Sequence, residues 1–279
     1  MKKMISVMLA VFGPAAFAGL LVTEVTGKAQ IEGKGVVTTL AEIADGQRVS
    51  VSAGAHVVAV DLTDGREFVL RGGGNYLVAP GGPKAADGKT VETKPLPVKN
   101  LPYVRDARIA TNSVAQASLV MRGIREANIP LLLSPVRTVV MSKNPTFRWQ
   151  AVDGATAYRL VLMTLDDTVI WDASTRQTEM SLPGARQLVP GENYKWRVEA
   201  IGERGALSDA LARFSAGQPD AIERLEQLRP GADAPFGRRV LYAVALREAG
   251  AVAEAKEMWR VLSLEHPEDG VIRVLADWP

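Results

Sequence analysis

The stretch QRVSVSAGAHVVAVDLTDGREFVL, residues 47–70, contains the strongest secondary-structure signal in the N-terminal part of the chain. Apolar and polar side chains alternate along it, which is the period of a β-strand with one buried face. Asp64-Gly65 separates two such runs, and this dipeptide between alternating runs is a strong hairpin signal. The residues predicted to face inward are Val49, Val51, Val58, Val60, Leu62, Phe68 and Leu70. Residues 19–95 are therefore predicted to form an all-β domain.

Three consecutive glycines follow this hairpin in VLRGGGNYLVAPGG, residues 69–82, and glycine-rich loops can bind phosphate. A phosphate loop places its glycines between a strand and a helix N-terminus, so that backbone N–H groups face the anion. Here residues 72–74 are followed by the strand-like residues 75–78 and then by Pro80. We interpret the glycines as a turn within the all-β domain.

The same part of the chain resembles the periplasmic domain of FecR-type proteins, in which a G-x-x-V step precedes a hairpin ending in DG-x-x-x-x-L. These motifs are Gly46-Gln47-Arg48-Val49 and Asp64-Gly65 with Leu70. The resemblance implies a sensor or regulatory component of envelope signalling. FecR-type regulators carry a sigma-factor-binding domain before a membrane helix, and the three residues ahead of the apolar run here leave no room for one. We therefore do not expect sigma-factor regulation.

Residues 1–18 have the layout of a bacterial secretory signal peptide. Lys2 and Lys3 precede a short apolar run that reaches the cleavage motif Ala16-Phe17-Ala18. We expect a periplasmic protein, anchored to the membrane only if the signal is not cleaved. Cleavage removes two of 33 basic residues and none of 31 acidic ones, which leaves a formal net charge of zero.

The composition of the chain argues against two classes of function. A neutral mature chain gives no electrostatic reason to expect a nucleic-acid partner. The sequence contains no cysteine, which excludes thiol catalysis and thiolate metal ligands.

Residues 96–130 are interpreted as a linker. Asn112-Ser113 could cap a short helix that Pro130 would end, and an extended connector is the alternative. The apolar residues of that helix would be Val114, Ala117, Met121 and Ile124.

Residues 131–216 are predicted to form a β-sandwich of seven strands, because clean alternation recurs between regularly spaced turn signals. The stretch Leu188-x-Pro190-Gly191-x-x-Tyr194 resembles the fibronectin type III signature, in which the tyrosine hydroxyl bonds back to the preceding loop. Trp149 falls where that fold places its core tryptophan. The aromatic residues could also form a sugar-binding platform, but alternating core positions explain them better.

Residues 217–279 switch to helical periodicity, with two amphipathic stretches on either side of Gly250. The pattern resembles one tetratricopeptide repeat, whose characteristic positions are occupied by Ala243, Gly250, Ala255, Trp259 and Pro267. One such repeat cannot bury its faces alone. The helix around residues 222–228 would supply one layer, and the rest would come from the sandwich, a second copy or a partner. The fold class expected for the whole chain is mainly β and multidomain, with a small α-helical hairpin at the C-terminal end.

Catalytic and metal-binding groups are sparse. The two histidines, His56 and His266, are predicted to lie on a strand and at a helix end, and they are too few for a three-histidine metal site. Asp166, Asp167 and Asp172 are explained as turn residues between two strands. We expect no enzymatic activity, no cofactor and no metal.

The sequence favours a non-catalytic envelope protein that binds or scaffolds other periplasmic proteins. In a tetratricopeptide hairpin the first helix lines the binding groove, so Val240, Val244 and Arg247 are the candidate partner-binding residues. Packing of these residues against the sandwich is the competing interpretation. The alternative functions are the FecR-like sensor and a protein that binds peptidoglycan or another glycan.

Overall fold

The computed structural model describes residues 19–99, 101 and 129–277. The predicted signal peptide, and the helix predicted to begin at Asn112-Ser113, lie outside these residues. The described part of the chain is mainly β, with helices at its C-terminal end, as the sequence predicts. None of its helices is both long and apolar enough to cross a membrane.

The first unit consists of two five-stranded antiparallel sheets packed face to face. One sheet has the order β10-β7-β6-β1-β4 and the other β3-β2-β5-β8-β9. Their core includes Val22, Val49, Val57 and Leu70. The strands are β1 (Gly19–Thr26), β2 (Ala29–Ile31), β3 (Gly35–Val36), β4 (Glu42–Ala44), β5 (Arg48–Val51), β6 (His56–Asp61), β7 (Arg66–Arg71), β8 (Gly74–Ala79), β9 (Gly82–Ala85) and β10 (Glu92–Pro95).

Both local predictions for this unit are confirmed. Strands β6 and β7 form a hairpin that closes on the pair Asp61–Arg66, and Gly65 in its turn has a φ of 66°. Gly72 and Gly73 form the turn that carries the chain from β7 to β8 in the other sheet, and Gly74 begins β8. The N–H of Gly73 donates to the carbonyl of Val51 at 2.8 Å, and a strand follows rather than a helix.

The second unit is a β-sandwich with sheets of the order β11-β13-β16 and β12-β18-β17-β14-β15. It has eight strands rather than seven, because the first strand divides between the two sheets. Strand β11 pairs with β13, whereas β12 runs parallel to β18. The strands are β11 (Leu132–Ser134), β12 (Val139–Val140), β13 (Thr146–Trp149), β14 (Ala157–Thr164), β15 (Val169–Thr175), β16 (Glu179–Ser181), β17 (Asn193–Gly202) and β18 (Gly205–Ala216).

Aromatic side chains fill the core of this sandwich. Trp149 is 2% exposed and Trp196 is fully buried, with ring centroids 6.4 Å apart. The hydroxyl of Tyr194 accepts the N–H of Val189 at 2.8 Å, which is the bond to the preceding loop that the sequence predicts. Because these rings face inward, the alternating apolar positions of the strands are core positions. This is the interpretation that the sequence favoured over a sugar-binding platform.

Four helices follow the sandwich: α1 (Pro219–Leu228), α2 (Phe236–Glu248), α3 (Val252–Glu265) and α4 (Gly270–Ala276). Helices α2 and α3 form the predicted hairpin about Gly250, which has a φ of 80°. The hairpin packs against the outer face of the sheet that contains β1. Leu21, Val60 and Leu62 on that face share one buried core with the apolar residues of all four helices.

This packing changes the simple alternation predicted for β6. Its run of residues 57–60 is buried throughout, because Val57 and Ala59 face the first unit's own core while Val60 faces the helices. A continuous apolar run is typical of a strand covered on both faces. The same core includes Leu96, Val98 and Leu101, so the start of the predicted linker is anchored between the first unit and the helices.

Substitution of Val240 tests directly whether α2 is buried in this shared core. We expect Val240→Ala to lower the free energy of unfolding by about 2 kcal/mol, because it removes two buried methyl groups and leaves a cavity. Urea unfolding of the full chain measures the change. Val252→Ala, at a residue that is 45% exposed, is the matched control and should change stability far less. Equal effects of the two substitutions would show that α2 is not held in this core.

Candidate interaction surfaces

The residues predicted to contact a partner lie inside the protein rather than in a groove. Val240 is fully buried and Val244 is 3% exposed, and both belong to the core shared with the first unit. The side chain of Arg247 is 20% exposed and pairs with Glu248 at 3.1 Å. The prediction that Val240 and Val244 line an open surface is therefore wrong in this structure. The face of α2 that would line a groove covers the outer face of a sheet instead.

The N-terminal end of α2 is fixed to the first unit by charged groups. The N–H of Gly237 donates to the carboxylate of Glu24 at 3.2 Å, where a negative charge also favours the helix N-terminus. Arg238 Nε lies 2.8 Å from Glu67 Oε2, and Glu67 is 7% exposed. A Cβ atom on Gly237 would come within 2.9 Å of Thr23 Oγ1, so glycine permits this close approach of helix and strand.

The other end of the helical hairpin is fixed to the sandwich. The N–H of Val139 donates to the carbonyl of Gly250 at 2.9 Å, and Thr138 Oγ1 donates to the same carbonyl at 3.2 Å. The carboxylate of Glu254 accepts the N–H of Met141 at 2.9 Å. Burial raises the pKa of Glu254, and the N–H groups of Met141 and Ser142 oppose this shift. Both ends of α2 and the start of α3 are thus occupied by contacts within the chain.

Among the described residues, the outer face of the five-stranded sandwich sheet carries exposed leucines and charged side chains, whereas Val161, Met163 and Lys195 on the same face are buried. Cross-strand pairing places Arg159, Glu199 and Asp209 in one row, and Val161, Arg197 and Leu211 in the next. Leu207 is 42% exposed and Leu211 is 50% exposed. We call this region, formed by the outward side chains of β14, β17 and β18, the outer sheet face. It contains a shallow depression of about 450 Å³, which is lined by Arg159, Arg197, Glu199, Ala206, Leu207, Ser208 and Asp209.

An ion-pair ladder crosses the outer sheet face. Arg159 Nη2 lies 2.6 Å from Asp172 Oδ2, and its Nη1 lies 3.9 Å from Glu199. The hydrogen bond from Arg159 lowers the pKa of Asp172, and burial opposes the shift. Exposed leucines beside fixed charges suit the recognition of a protein surface more than chemistry on a small molecule.

The other residues considered as chemical groups have structural roles. His56 Nε2 lies 3.2 Å from Glu24 Oε1, and His266 follows α3 and pairs with Glu268 at 3.1 Å. Asp166 and Asp167 lie in the predicted turn, between β14 and β15, whereas Asp172 lies within β15. Within the described ranges, no three histidine, aspartate or glutamate side chains are grouped as metal ligands would be.

Comparison with known proteins finds similarity over part of the chain, among solved structures only. No protein-family model matches the chain, and no curated protein matches it. Among solved structures, a Fn3-like protein from Clostridium thermocellum is 20% identical, with 32% of this chain and 95% of that one covered and a TM-score of 0.24. The fn3 domain of human collagen alpha-1(XX) chain is 19% identical, with 34% and 91% covered and a TM-score of 0.26. Each likeness covers about a third of this chain.

Glu254 should make stability depend on pH. Because its folded pKa is raised, the protonated form is favoured in the folded state, and that stabilisation is lost as the pH rises from about 4.5 through the raised value. We expect Glu254→Gln to gain stability relative to the native chain between pH 4 and pH 8. Urea unfolding at both values measures the gain, and Glu223→Gln, at an exposed position of α1, controls for net charge. A difference that stays constant across this range, or one that reverses, would contradict the assignment.

Proposed function

We propose that the protein is a non-catalytic binding or scaffold protein of the bacterial cell envelope, and that the outer sheet face contacts its partner protein. The observation that carries the proposal is the exposure of Leu207 and Leu211 next to Arg197 on a rigid sheet. An exposed apolar patch rimmed by polar side chains is typical of a protein interaction site. Charged neighbours would give such a contact its orientation.

The way the three parts are joined supports a scaffold. The helices share one buried core with the first unit, and Met141 of the sandwich belongs to the same core. Backbone hydrogen bonds at Gly250 and a carboxylate at residue 254 add fixed contacts to the sandwich. A rigid body of this kind keeps its surfaces in a constant relative geometry, which is what a scaffold needs.

The proposal includes export to the periplasm through the signal peptide at residues 1–18. Its support is the sequence pattern of Lys2 and Lys3, the short apolar run and the motif Ala16-Phe17-Ala18. The FecR-type assignment of residues 19–95 and the tetratricopeptide-like assignment of α2 and α3 are finer parts of the same proposal, and their support is the sequence motifs given above.

A FecR-like sensor is the second candidate, and the contact between the first unit and α2 favours it. Glu24 and Glu67 of the first unit bind Gly237 and Arg238 of the helix, so a displacement of either strand would reach the helices. The glycan alternative is not favoured, because six of the seven aromatic side chains of the sandwich are buried and only Trp171 is half-buried. The exposed fractions of the six are at most 4%, for Phe147, Trp149, Tyr158, Tyr194, Trp196 and Phe214.

Photo-crosslinking in living cells tests the scaffold proposal. A photoreactive residue at position 211 should give a discrete adduct with another envelope protein, identified by mass spectrometry. The same residue at position 240 should give intramolecular links, because that position is buried. Leu207→Glu should remove the adduct at 211 without changing the thermal unfolding midpoint. If position 211 gives no heterologous adduct, or if the adduct survives Leu207→Glu, the outer sheet face is not the contact surface.

A further inference from the structure

The strand at one edge of the outer sheet face differs from every other edge strand of the described sheets. Strand β15 is seven residues long, whereas the edge strands of all four sheets otherwise contain two to four residues. Natural proteins blunt sheet edges by keeping them short, because a long edge presents unpaired backbone groups. We propose that the free edge of β15 binds an extended peptide segment of another protein, which adds a sixth strand to the sheet.

The backbone of β15 is regular enough, and presents the hydrogen-bonding groups needed, for such pairing. Its pairs with β14 run without interruption from Leu162–Trp171 to Tyr158–Thr175, after a bulge at Ile170. The N–H of Thr164 donates to the carbonyl of Thr168 at 3.0 Å. Antiparallel hydrogen bonding alternates from that bond onward, so the N–H and C=O groups of Asp172 and Ser174 point to the free side. In the described part of the chain, no strand pairs with that side.

Side chains at the edge indicate the chemistry of the peptide. Trp171 faces the sandwich core, 6.2 Å from Phe147 between ring centroids, and it is half-buried because the sheet ends beside it. Ala173, which faces the same way, is also half-buried. A peptide with apolar side chains at alternate positions would cover both residues. The other face of the added strand would meet Asp172, so an acidic residue is disfavoured there.

A second copy of this chain is the less suitable occupant. Asp172 is the central residue of β15, so full antiparallel pairing of two β15 strands would place Asp172 opposite itself. Like charges directly opposite each other destabilise a strand pair. In that pairing the bulge at Ile170, whose carbonyl also accepts a hydrogen bond from Arg186 Nη1 at 2.6 Å, would lie opposite Ser174 in both halves and reduce the number of regular pairs. These features leave a peptide of different sequence as the occupant.

This inference rests on the proposed function and deepens it, since it names the kind of segment that the scaffold binds. The two can fail separately, because the crosslinking test concerns the outer sheet face in cells and the following test concerns a peptide and the purified chain.

The test uses the full chain and the capped peptide acetyl-Thr-Val-Lys-Val-Thr-Val-Thr-amide. Amide hydrogen exchange, followed by NMR, should slow at Asp172 and Ser174 by at least about tenfold when the peptide is in excess, because both N–H groups become hydrogen-bonded. Ser174→Pro should weaken peptide binding by about tenfold, since it removes a donor on the free side while leaving the bonds to β14 in place. A peptide with proline at positions 3 and 5 is the control and should not bind.

Three results would overturn the proposal. Unchanged exchange at Asp172 and Ser174 in excess peptide would do so, and this readout needs no variant that could fail to fold. Equal binding of the peptide and its proline control would show that backbone pairing is not involved. Light scattering that finds a dimer dependent on β15 would make a second copy the occupant. Circular dichroism of Ser174→Pro confirms that the sandwich is intact before its affinity is compared.

Discussion

Apolar residues on the outer face of the sheet β10-β7-β6-β1-β4 have to be shielded from water, and this requirement determines how the helices and the sandwich are arranged around the first unit. Leu21, Val60 and Leu62 lie on that face, and the helices supply the cover. This burial fixes where α2 lies, and α2 in turn places the turn at Gly250 against β12 of the sandwich. The hydrophobic effect is non-directional, so the polar contacts at Gly237 and Arg238 set the position of the helix on the sheet.

The contacts between the units share one design, in which a buried or half-buried carboxylate meets backbone N–H groups or an arginine. Glu24 binds the start of α2, Glu67 binds Arg238, and Glu254 binds the backbone that follows β12. Each of these carboxylates would be costly to bury without its partner. Such pairs therefore favour one arrangement of the units over alternatives that would leave the charges unpaired. A scaffold whose surfaces must keep a constant spacing benefits from that selectivity.

Local features of the fold follow from the sequence, and its long-range contacts do not. Period-two alternation, the Asp64-Gly65 turn and the helical period about Gly250 identify strands, hairpin and helices, because those signals depend on neighbours in the chain. Val60 is covered by helices that are far away in sequence, and no local pattern of residues predicts such a long-range contact. The continuous run at residues 57–60 was the available signal, since a strand with one wet face would alternate. The sequence also contained a signal for the exposed leucines of β18. Side chains at odd and even positions of a strand point to opposite faces, and Leu207 and Leu211 lie at odd positions whereas the core residue Phe214 lies at an even one.

Contacts between the two ends of the described chain affect how the protein folds during synthesis. Glu24 and Gly237 are 213 residues apart, and Thr39 donates to Asp269 across 230 residues. The first unit is synthesised long before the helices that cover it, so Leu21, Val60 and Leu62 on the outer face of its sheet stay exposed to water until the last part of the chain is made. Contacts between residues so far apart in sequence slow folding, and they leave folding intermediates with exposed apolar surface that can aggregate. Truncation of the C-terminal helices would leave these residues of the first unit exposed in the finished protein as well.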